Sequence, residues 1–255
     1  MISRFIGRAQ QFSPAIEDNS FFVEEAYNQE DTVVQHISTG YYQKSTETFI
    51  YTFTQEWPIG GQRNQLSYTI PYQTMAGGIR GFGDLMLNYR YQLLSQDVWI
   101  APRFSLILPT GKSSDGLGNG VVGMQVDIPV SKRWSNLFIT HLNAGMTLLP
   151  GVSGTTGTGE EVKRTLPTYF AGISGILLLS ENFNVMGEIL ESSVGDIGED
   201  GEVAFSSQTI VSPGLRWAIN LGDLQIVPGV AFPVVFQEGS SEMTYFGYLS
   251  FEHPF

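Results

Sequence analysis

The sequence contains no cysteine among its 255 residues, which excludes a disulfide framework, a thiolate nucleophile and a thiolate metal site. Charge is scarce as well. Asp, Glu, Lys and Arg together make up 15% of the chain, whereas a soluble surface usually carries roughly 25 to 35% of them. Basic residues are the rarer sign, 13 against 25 acids, for a formal net charge of −12. Such a chain repels phosphate backbones and shows no local basic cluster, so nucleic acid is not expected as a partner. The acidity suits solvated loops at a cell surface.

Long hydrophobic runs are missing too. Nothing reaches the ~18 uninterrupted apolar residues of a transmembrane helix, and the best candidate, "LQIVPGVAFPVVF" (224–236), is broken by Pro228, Gly229 and Pro233. The amino-terminal "MISRFIGRAQQFSPAIEDNSFF" has no apolar h-region of ~7 to 15 residues, so no signal peptide is visible. An exported chain therefore implies a start site placed too late or a trimmed leader. With only His36, His141 and His253, widely spaced, no metal motif is recognisable, and no cofactor is expected.

What is present is period-two alternation. From Asp31 onward about twelve segments alternate apolar and polar residues between Gly, Pro, Asn, Asp or Ser breaks. They centre on "TVVQHIST", "ETFIYTFTQEW", "QLSYTIPYQ", "DLMLNYRYQLL", "VWIAPRFSLIL", "VVGMQVDIPV", "LFITHLNAGMTLL", "TYFAGISGILLL", "FNVMGEILE", "FSSQTIVSPGLRWAI", "LQIVPGVAFPVVF" and "MTYFGYLSFEHPF". No amphipathic helix separates them, so antiparallel hairpins are expected. The connections differ in kind: "LSQD", "SKRWS", "LLSEN" and "NLGD" are tight, while "PTGKSSDGLGNG", "PGVSGTTGTGEEVKRTLP" and "ESSVGDIGEDGE" between them are Gly-rich and polar. Tight turns on one rim and long loops on the other predict an all-β, up-and-down transmembrane barrel of about twelve strands, with short periplasmic turns and long extracellular loops.

The tryptophans agree with that orientation. Trp57, Trp134 and Trp217 lie near expected tight turns, where an aromatic belt at the membrane interface belongs, and Tyr89 joins them. Trp99 shares the parity of Arg103, which requires a bulge or an inward ring. An even strand number returns the chain to the periplasmic side, where it ends on Phe255.

Several strings bear a resemblance on top of this pattern. "FFVEEAYNQEDTVVQH", "FTQEWPI", "GFGDLMLNYRYQL", "PRFSLILPTGKSSDGLGNG" and "HLNAG" resemble the outer-membrane transporter family associated with the MetA pathway of phenol degradation, from about Phe21 to the end. Gly81 to Asp84 and Leu108 to Lys112 are the most specific parts. The resemblance implies a Gram-negative outer-membrane β-barrel with a transport role. The aromatic terminal strand resembles the closing segment read by outer-membrane assembly machinery, apart from His253 and Pro254.

In a barrel, an Arg facing lipid near the midplane costs roughly 2 to 4 kcal/mol, a penalty that a watery or paired lumen removes. Arg90 therefore faces inward and the leucines of "GFGDLMLNYRYQLL" face lipid. The same parity sends Glu56, Asn88, Arg103, Asp127, His141, Asn143, Glu188 and Arg216 to the lumen. Arg90 and Arg103 are expected within diagonal reach, Asp127 level with Arg103, and a constriction lined by these three and Glu188. Residues 1–30 form an amino-terminal segment, read as a leader remnant, a cap or a plug, ahead of a barrel at 31–255.

The function expected is passive uptake of small solutes, aromatic or hydrophobic ones among them, by a porin-like channel in contact with outer-membrane lipid. A structural or surface-binding envelope barrel is the alternative. An enzyme is not expected: a hydrolase like outer-membrane phospholipase needs Ser two residues after an outward His, and here Asn143 follows an inward His141. "PTGKSS" lacks the first glycine of a phosphate loop, and "GDIGEDGE" lacks the closing Glu of a calcium loop.

Overall fold

The computed structural model describes Ile16 and residues Ser20 to Phe255; the leader question falls outside the described residues. Twelve antiparallel strands form one closed barrel. They are β1 (Val33–Gln43), β2 (Thr48–Pro58), β3 (Asn64–Thr74) and β4 (Arg80–Phe82, Leu85–Tyr91 and Leu94–Ser95). There follow β5 (Trp99–Ile100 and Arg103–Leu108), β6 (Gly123–Asp127 and Val130–Arg133), β7 (Phe138–Thr155) and β8 (Glu161–Ser180). The last four are β9 (Phe183–Ile197), β10 (Val203–Trp217 and Ile219–Leu221), β11 (Leu224–Ala231 and Val234–Gln237) and β12 (Ser240–Met243 and Tyr245–Pro254). Each pairs with its successor, and β12 returns to β1 from Val33↔Pro254 to Tyr42↔Tyr245. Closure leaves no edge, so the wall satisfies its own backbone groups inside lipid.

Alternation sets the faces as the sequence parity requires. Leu87, Phe104, Leu142, Ile173, Leu177 and Ile189 point outward at 43 to 50% exposure. Asn88, Arg90, Ser105, Asp127, Ser131, His141, Ser174, Glu188, Ser212 and Arg216 are buried on the inside. The protein is inverted relative to a soluble one: its outer face is apolar and its interior carries the buried polar and charged side chains, with two apolar clusters, around Val227 and Phe246 and around Ile139 and Ile176, among them.

Strand interruptions in β5, β6 and β11 fall at Pro102, Pro129 and Pro233, which have no N–H to give the ladder. On the tight-turn rim the connections are short. On the opposite rim the strands run further than the sequence pattern suggests: β7 and β8 continue through much of "PGVSGTTGTGEEVKRTLP" as a hairpin closed at 156–160, and β9 reaches Ile197. A membrane crossing takes only about 9 to 11 tilted residues. Beyond it both strand faces meet water, so apolar alternation disappears although pairing continues.

The connection 109–122, between β5 and β6, is a true loop, and one carboxylate fixes it. Asp84 accepts Gly111 N–H at 3.0 Å through Oδ1, and Asn119 N–H and side-chain amide at 2.7 and 2.8 Å through Oδ2. Between β3 and β4 the register shifts by one at Gly83 and Asp84, from Tyr72↔Phe82 to Thr69↔Met86, which turns Asp84 toward the loop. A Cβ on Gly118 would lie 2.3 Å from Asp84 Oδ1, and one on Gly111 2.4 Å from Leu117 O. The loop backbone reaches the carboxylate only without side chains there. Leu117 is buried at the loop's turn, close enough that a Cβ on Gly81 would sit 2.8 Å from its Cδ1. At the exposed tip Lys112 donates to Asp115 at 2.8 Å and holds that carboxyl below the usual carboxylate range.

Asp84→Ala removes charge-assisted bonds that each contribute about 1.5 to 3 kcal/mol, so the loop should open locally while the barrel stays closed. Trypsin cleavage after Lys112 should accelerate by at least about tenfold, with the folded barrel's resistance to cold SDS unchanged. Equal cleavage of variant and wild type would refute the latch.

Candidate functional site in the barrel lumen

Two arginines stand side by side on adjacent strands. Arg90 of β4 is directly opposite Arg103 of β5, rather than diagonal to it, and Arg103 is directly opposite Asp127 of β6. Like charges facing across a strand pair are destabilising, so this pair needs acids close by. The wall supplies two: Glu56 lies 3.6 Å from Arg90 Nη2, and Asp127 3.9 Å from Arg103 Nη2. The shorter contacts come from elsewhere. Glu25 Oε1 is 3.0 Å from Arg90 Nη1 and Glu24 Oε1 is 2.8 Å from Arg103 Nη2, both from the segment that precedes the barrel.

That segment, 20–31, lies inside the lumen, and lumenal side chains take the place of a strand partner. Ile16 meets the β8–β9 turn, its N–H donating to Glu181 O at 3.4 Å and its carbonyl accepting from Asn184 at 2.7 Å. Ser20 and Ser174 hydroxyls are 2.6 Å apart. Phe22 and Val23 N–H both donate to Glu188 Oε1, at 2.9 and 3.0 Å. Asn143 reads both sides of Glu24, accepting its N–H at 2.6 Å and donating to its carbonyl at 2.9 Å. Gln92 likewise accepts Asn28 N–H at 3.1 Å and donates to Ala26 O at 2.9 Å. Ala26 N–H goes to Ser131 Oγ at 2.7 Å and Gln29 N–H to Gln65 Oε1 at 2.6 Å. A buried backbone must have such partners, and here the wall provides them residue by residue.

Packing anchors the same segment. The Phe21 ring occupies a notch made by two inward glycines: Cβ atoms on Gly214 and Gly229 would lie 2.5 and 2.7 Å from it. Phe246 and Tyr248 flank the ring with centroids 5.2 and 5.5 Å away. The segment thus enters by the β8–β9 turn, reaches the level of Glu188 and Asn143, and returns by Gln92 and Gln65 to β1. It occupies the half of the lumen next to the tight turns.

The residues singled out by parity divide into three places. Arg90, Arg103, Asp127, Glu56 and Asn88 form one charged wall, with Asn88 Oδ1 accepting from Arg103 at 3.1 Å. Glu188 stands apart from them on β9, so the expected four-residue constriction does not form as one cluster; Glu188 serves the Phe22 and Val23 backbone instead. Arg216 is fully buried beside Ile16, donating to its carbonyl at 3.3 Å. His141 is also fully buried; its Nδ1 is 2.7 Å from Ser131 Oγ, itself occupied by Ala26 N–H, so this Ser–His pair is covered by the segment.

Trp57 and Trp217 end their strands on the tight-turn rim and Trp134 lies in the β6–β7 turn; the Tyr89 hydroxyl donates to Asn64 at 2.7 Å beside the same rim. Trp99 turns inward and meets Tyr27 edge-on at 5.0 Å. His36 and His253 meet on β1 and β12 with Nε2 atoms 3.3 Å apart, but among the described residues no group of three or more His, Asp or Glu is arranged to hold a metal. The acids of "GDIGEDGE" cap their own backbone, Asp196 on Ile197 N–H and Asp200 on Glu202 N–H.

Parity missed Glu24, Glu25 and Phe21, because they lie outside the strands. It could have found Gln92, which shares the face of Arg90. Two cavities remain beside the segment, of about 320 and 210 Å³, and both touch Phe22, Glu24, Arg103 and Gln125.

Arg90→Met should cost about 3 to 5 kcal/mol in denaturant unfolding of the refolded protein, since it strands Glu25 and Glu56 without their cation. The double variant Arg90→Met/Glu25→Met should recover part of that loss. Additive losses would mean that the two do not interact.

No family model matches the sequence, and no curated protein does. Among solved structures the chain is similar to the NanC porin, with a TM-score of 0.56 at 10% identity over 86% of this chain and 100% of that one. The β domain of the Bordetella autotransporter BrkA gives 0.48 at 12% identity, covering 88% and 98% of the two chains, and the CymD monoaromatic hydrocarbon channel gives 0.45 at 8% identity, covering 89% of each. Identities this low speak for the fold alone, and the first similarity carries it: the protein has the architecture of a porin-like outer-membrane β-barrel.

Proposed function

We propose that the protein is an outer-membrane channel for passive uptake of small solutes, aromatic or hydrophobic ones among them. The observation that carries this reading is the inverted wall, apolar toward lipid and polar within, around a lumen that keeps open volume on one side of the segment 20–31. A barrel of twelve strands lies between eight-stranded ones, filled by their own side chains, and 16-stranded porins with wide channels. A narrow, partly filled lumen suits solutes of that size. The aromatic preference rests on the resemblance to the transporter family associated with phenol degradation. Solutes enter past the latched 109–122 loop, reach the cavities above Phe22 and Glu24, and pass when the segment shifts. Mixed charges along the wall keep selectivity between anions and cations modest. In the envelope the outward face contacts outer-membrane lipid. Insertion uses the terminal strand β12, whose Phe255 is exposed beyond its backbone bond to Thr32 O at 2.9 Å.

Planar-bilayer recordings test the proposal. Wild type should show brief, infrequent openings, and Phe21→Ala with Glu25→Ala, which loosens the segment at two anchors, should raise open probability by about tenfold or more, since about 1.4 kcal/mol shifts an equilibrium that far. Arg103→Ala should change the unitary conductance. Correctly folded barrels that never conduct, in wild type and the double variant alike, would leave an envelope-binding barrel as the better reading.

A further inference from the structure

Within the charged wall one ion pair differs from the others. Arg103 is nine-tenths buried and its fork is well held: Nη1 donates to Ser105 Oγ at 2.6 Å and to Asn88, and Nη2 donates to Gln125 Oε1 at 2.8 Å. Glu24 Oε1 lies 2.8 Å from Nη2 as an ion pair, while Arg103 Nε, like Arg90 Nε, has no hydrogen-bond partner among the described residues, and neither has Glu24 Oε2. A guanidinium and a carboxylate bind best through two parallel bonds; this pair has a single close contact. Glu24 is also the cluster's most accessible acid, with its side chain 35% exposed against 6% for Glu25, 11% for Glu56 and 2% for Asp127. The most accessible acid therefore sits on a preorganised arginine that borders both cavities.

We propose that Arg103 is a receptor for the carboxylate of a small acid with an aromatic or apolar body, which binds by taking Glu24's place on the guanidinium. This deepens the channel reading by naming a solute class. The cavity of about 210 Å³ beside Arg103 offers Phe22, Phe170 and Leu190 to an apolar body, with Gln125 and Asn143 at its polar margin. Charge selects the head group. Exchanging one monoanion for another leaves the wall's balance unchanged, whereas a phosphate or sulfate dianion would add charge within reach of Asp127, 3.9 Å from the same nitrogen. A neutral alcohol or amide cannot compete with an ionised Glu24. Once released, the Glu24 carboxylate turns to the water of the cavity, and the segment loses one of its two ion pairs while Asn143 still holds its backbone. Binding therefore weakens the hold on the segment without expelling it.

The test is a ligand-detected NMR titration of the full, detergent-refolded protein with sodium benzoate, and with benzamide as the neutral isostere. Benzoate should bind at least about tenfold more tightly than benzamide. Glu24→Gln, which removes the internal competitor from an accessible position, should tighten benzoate by about tenfold and leave benzamide unchanged. Arg103→Gln should abolish benzoate binding, and Arg103→Lys, which keeps the charge but loses the fork, should weaken it. Equal affinities for the two probes, no binding of either, or a Glu24→Gln variant no tighter than wild type would overturn the proposal. Conductance separates it from the channel reading: a conducting barrel that ignores benzoate sinks only the site, and benzoate binding by a barrel that never conducts sinks only the channel.

Discussion

The placement of Arg90 directly across from Arg103 constrains everything around it. Two guanidinium groups on neighbouring strands of a confined lumen repel each other, and water alone is a weak screen where both side chains are at least nine-tenths buried. The wall supplies Glu56 and Asp127 at 3.6 and 3.9 Å, too long for good hydrogen bonds, and the segment supplies Glu24 and Glu25 at 2.8 and 3.0 Å. Consecutive carboxylates thus meet consecutive strands. The pairing fixes where the segment sits along the barrel axis as well as how it is held, because a shift of one residue along the segment would offer Val23 or Ala26 to an arginine. Backbone bonds to Glu188, Asn143, Ser131 and Gln92 share that register.

Much of the barrel is written in the sequence because lipid favours apolar outward positions within the membrane, and alternation then reveals most strands and their faces. Arg90, Asp127 and Glu188 could be assigned inward for that reason. The same rule explains what was illegible. The strand extensions at Gly154 and Gly195 stand in water on both faces, so nothing forces alternation and they read as loops. The segment 20–31 has no periodicity because its partners are single side chains 34 to 166 residues away, and no local pattern encodes such distances. Direct opposition of Arg90 and Arg103 depended on the turn and on the irregularity at Ala101 and Pro102, which shift register by amounts that alternation does not report.

Gly81 to Asp84 and the stretch that opens with Leu108 to Lys112 turn out to be halves of one contact. Asp84 needs glycines at 111 and 118 to let the loop backbone approach, and the glycines need a carboxylate to satisfy the N–H groups they bring. Glu188 uses the same device at the other end of the lumen, accepting two successive N–H groups of the segment through one oxygen. In both places an acid on the rigid wall orders a stretch of chain that has no strand partner. Acids so used hold chain instead of standing free in the lumen.

The two tethers nevertheless differ in what disturbs them. The loop is held chiefly by one carboxylate accepting three N–H donors, a compact arrangement that Thr110, bonded to Gly83 O and Leu85 N–H, and buried Leu117 support. The segment is held by many contacts in series, mostly neutral side chain to backbone bonds that each contribute about 0.5 to 1.5 kcal/mol net, with two ion pairs and the packed rings of Phe21, Phe22 and Tyr27. Water in an enlarged lumen could replace the neutral bonds one for one at little cost, since both states are hydrogen-bonded. What water replaces poorly is the Arg–Glu pairing and the packing of Phe21 in its glycine notch. A segment so fixed is weakened most by what competes at an arginine or at the Gly214–Gly229 notch, and least by the loss of any one of the more numerous neutral bonds around them.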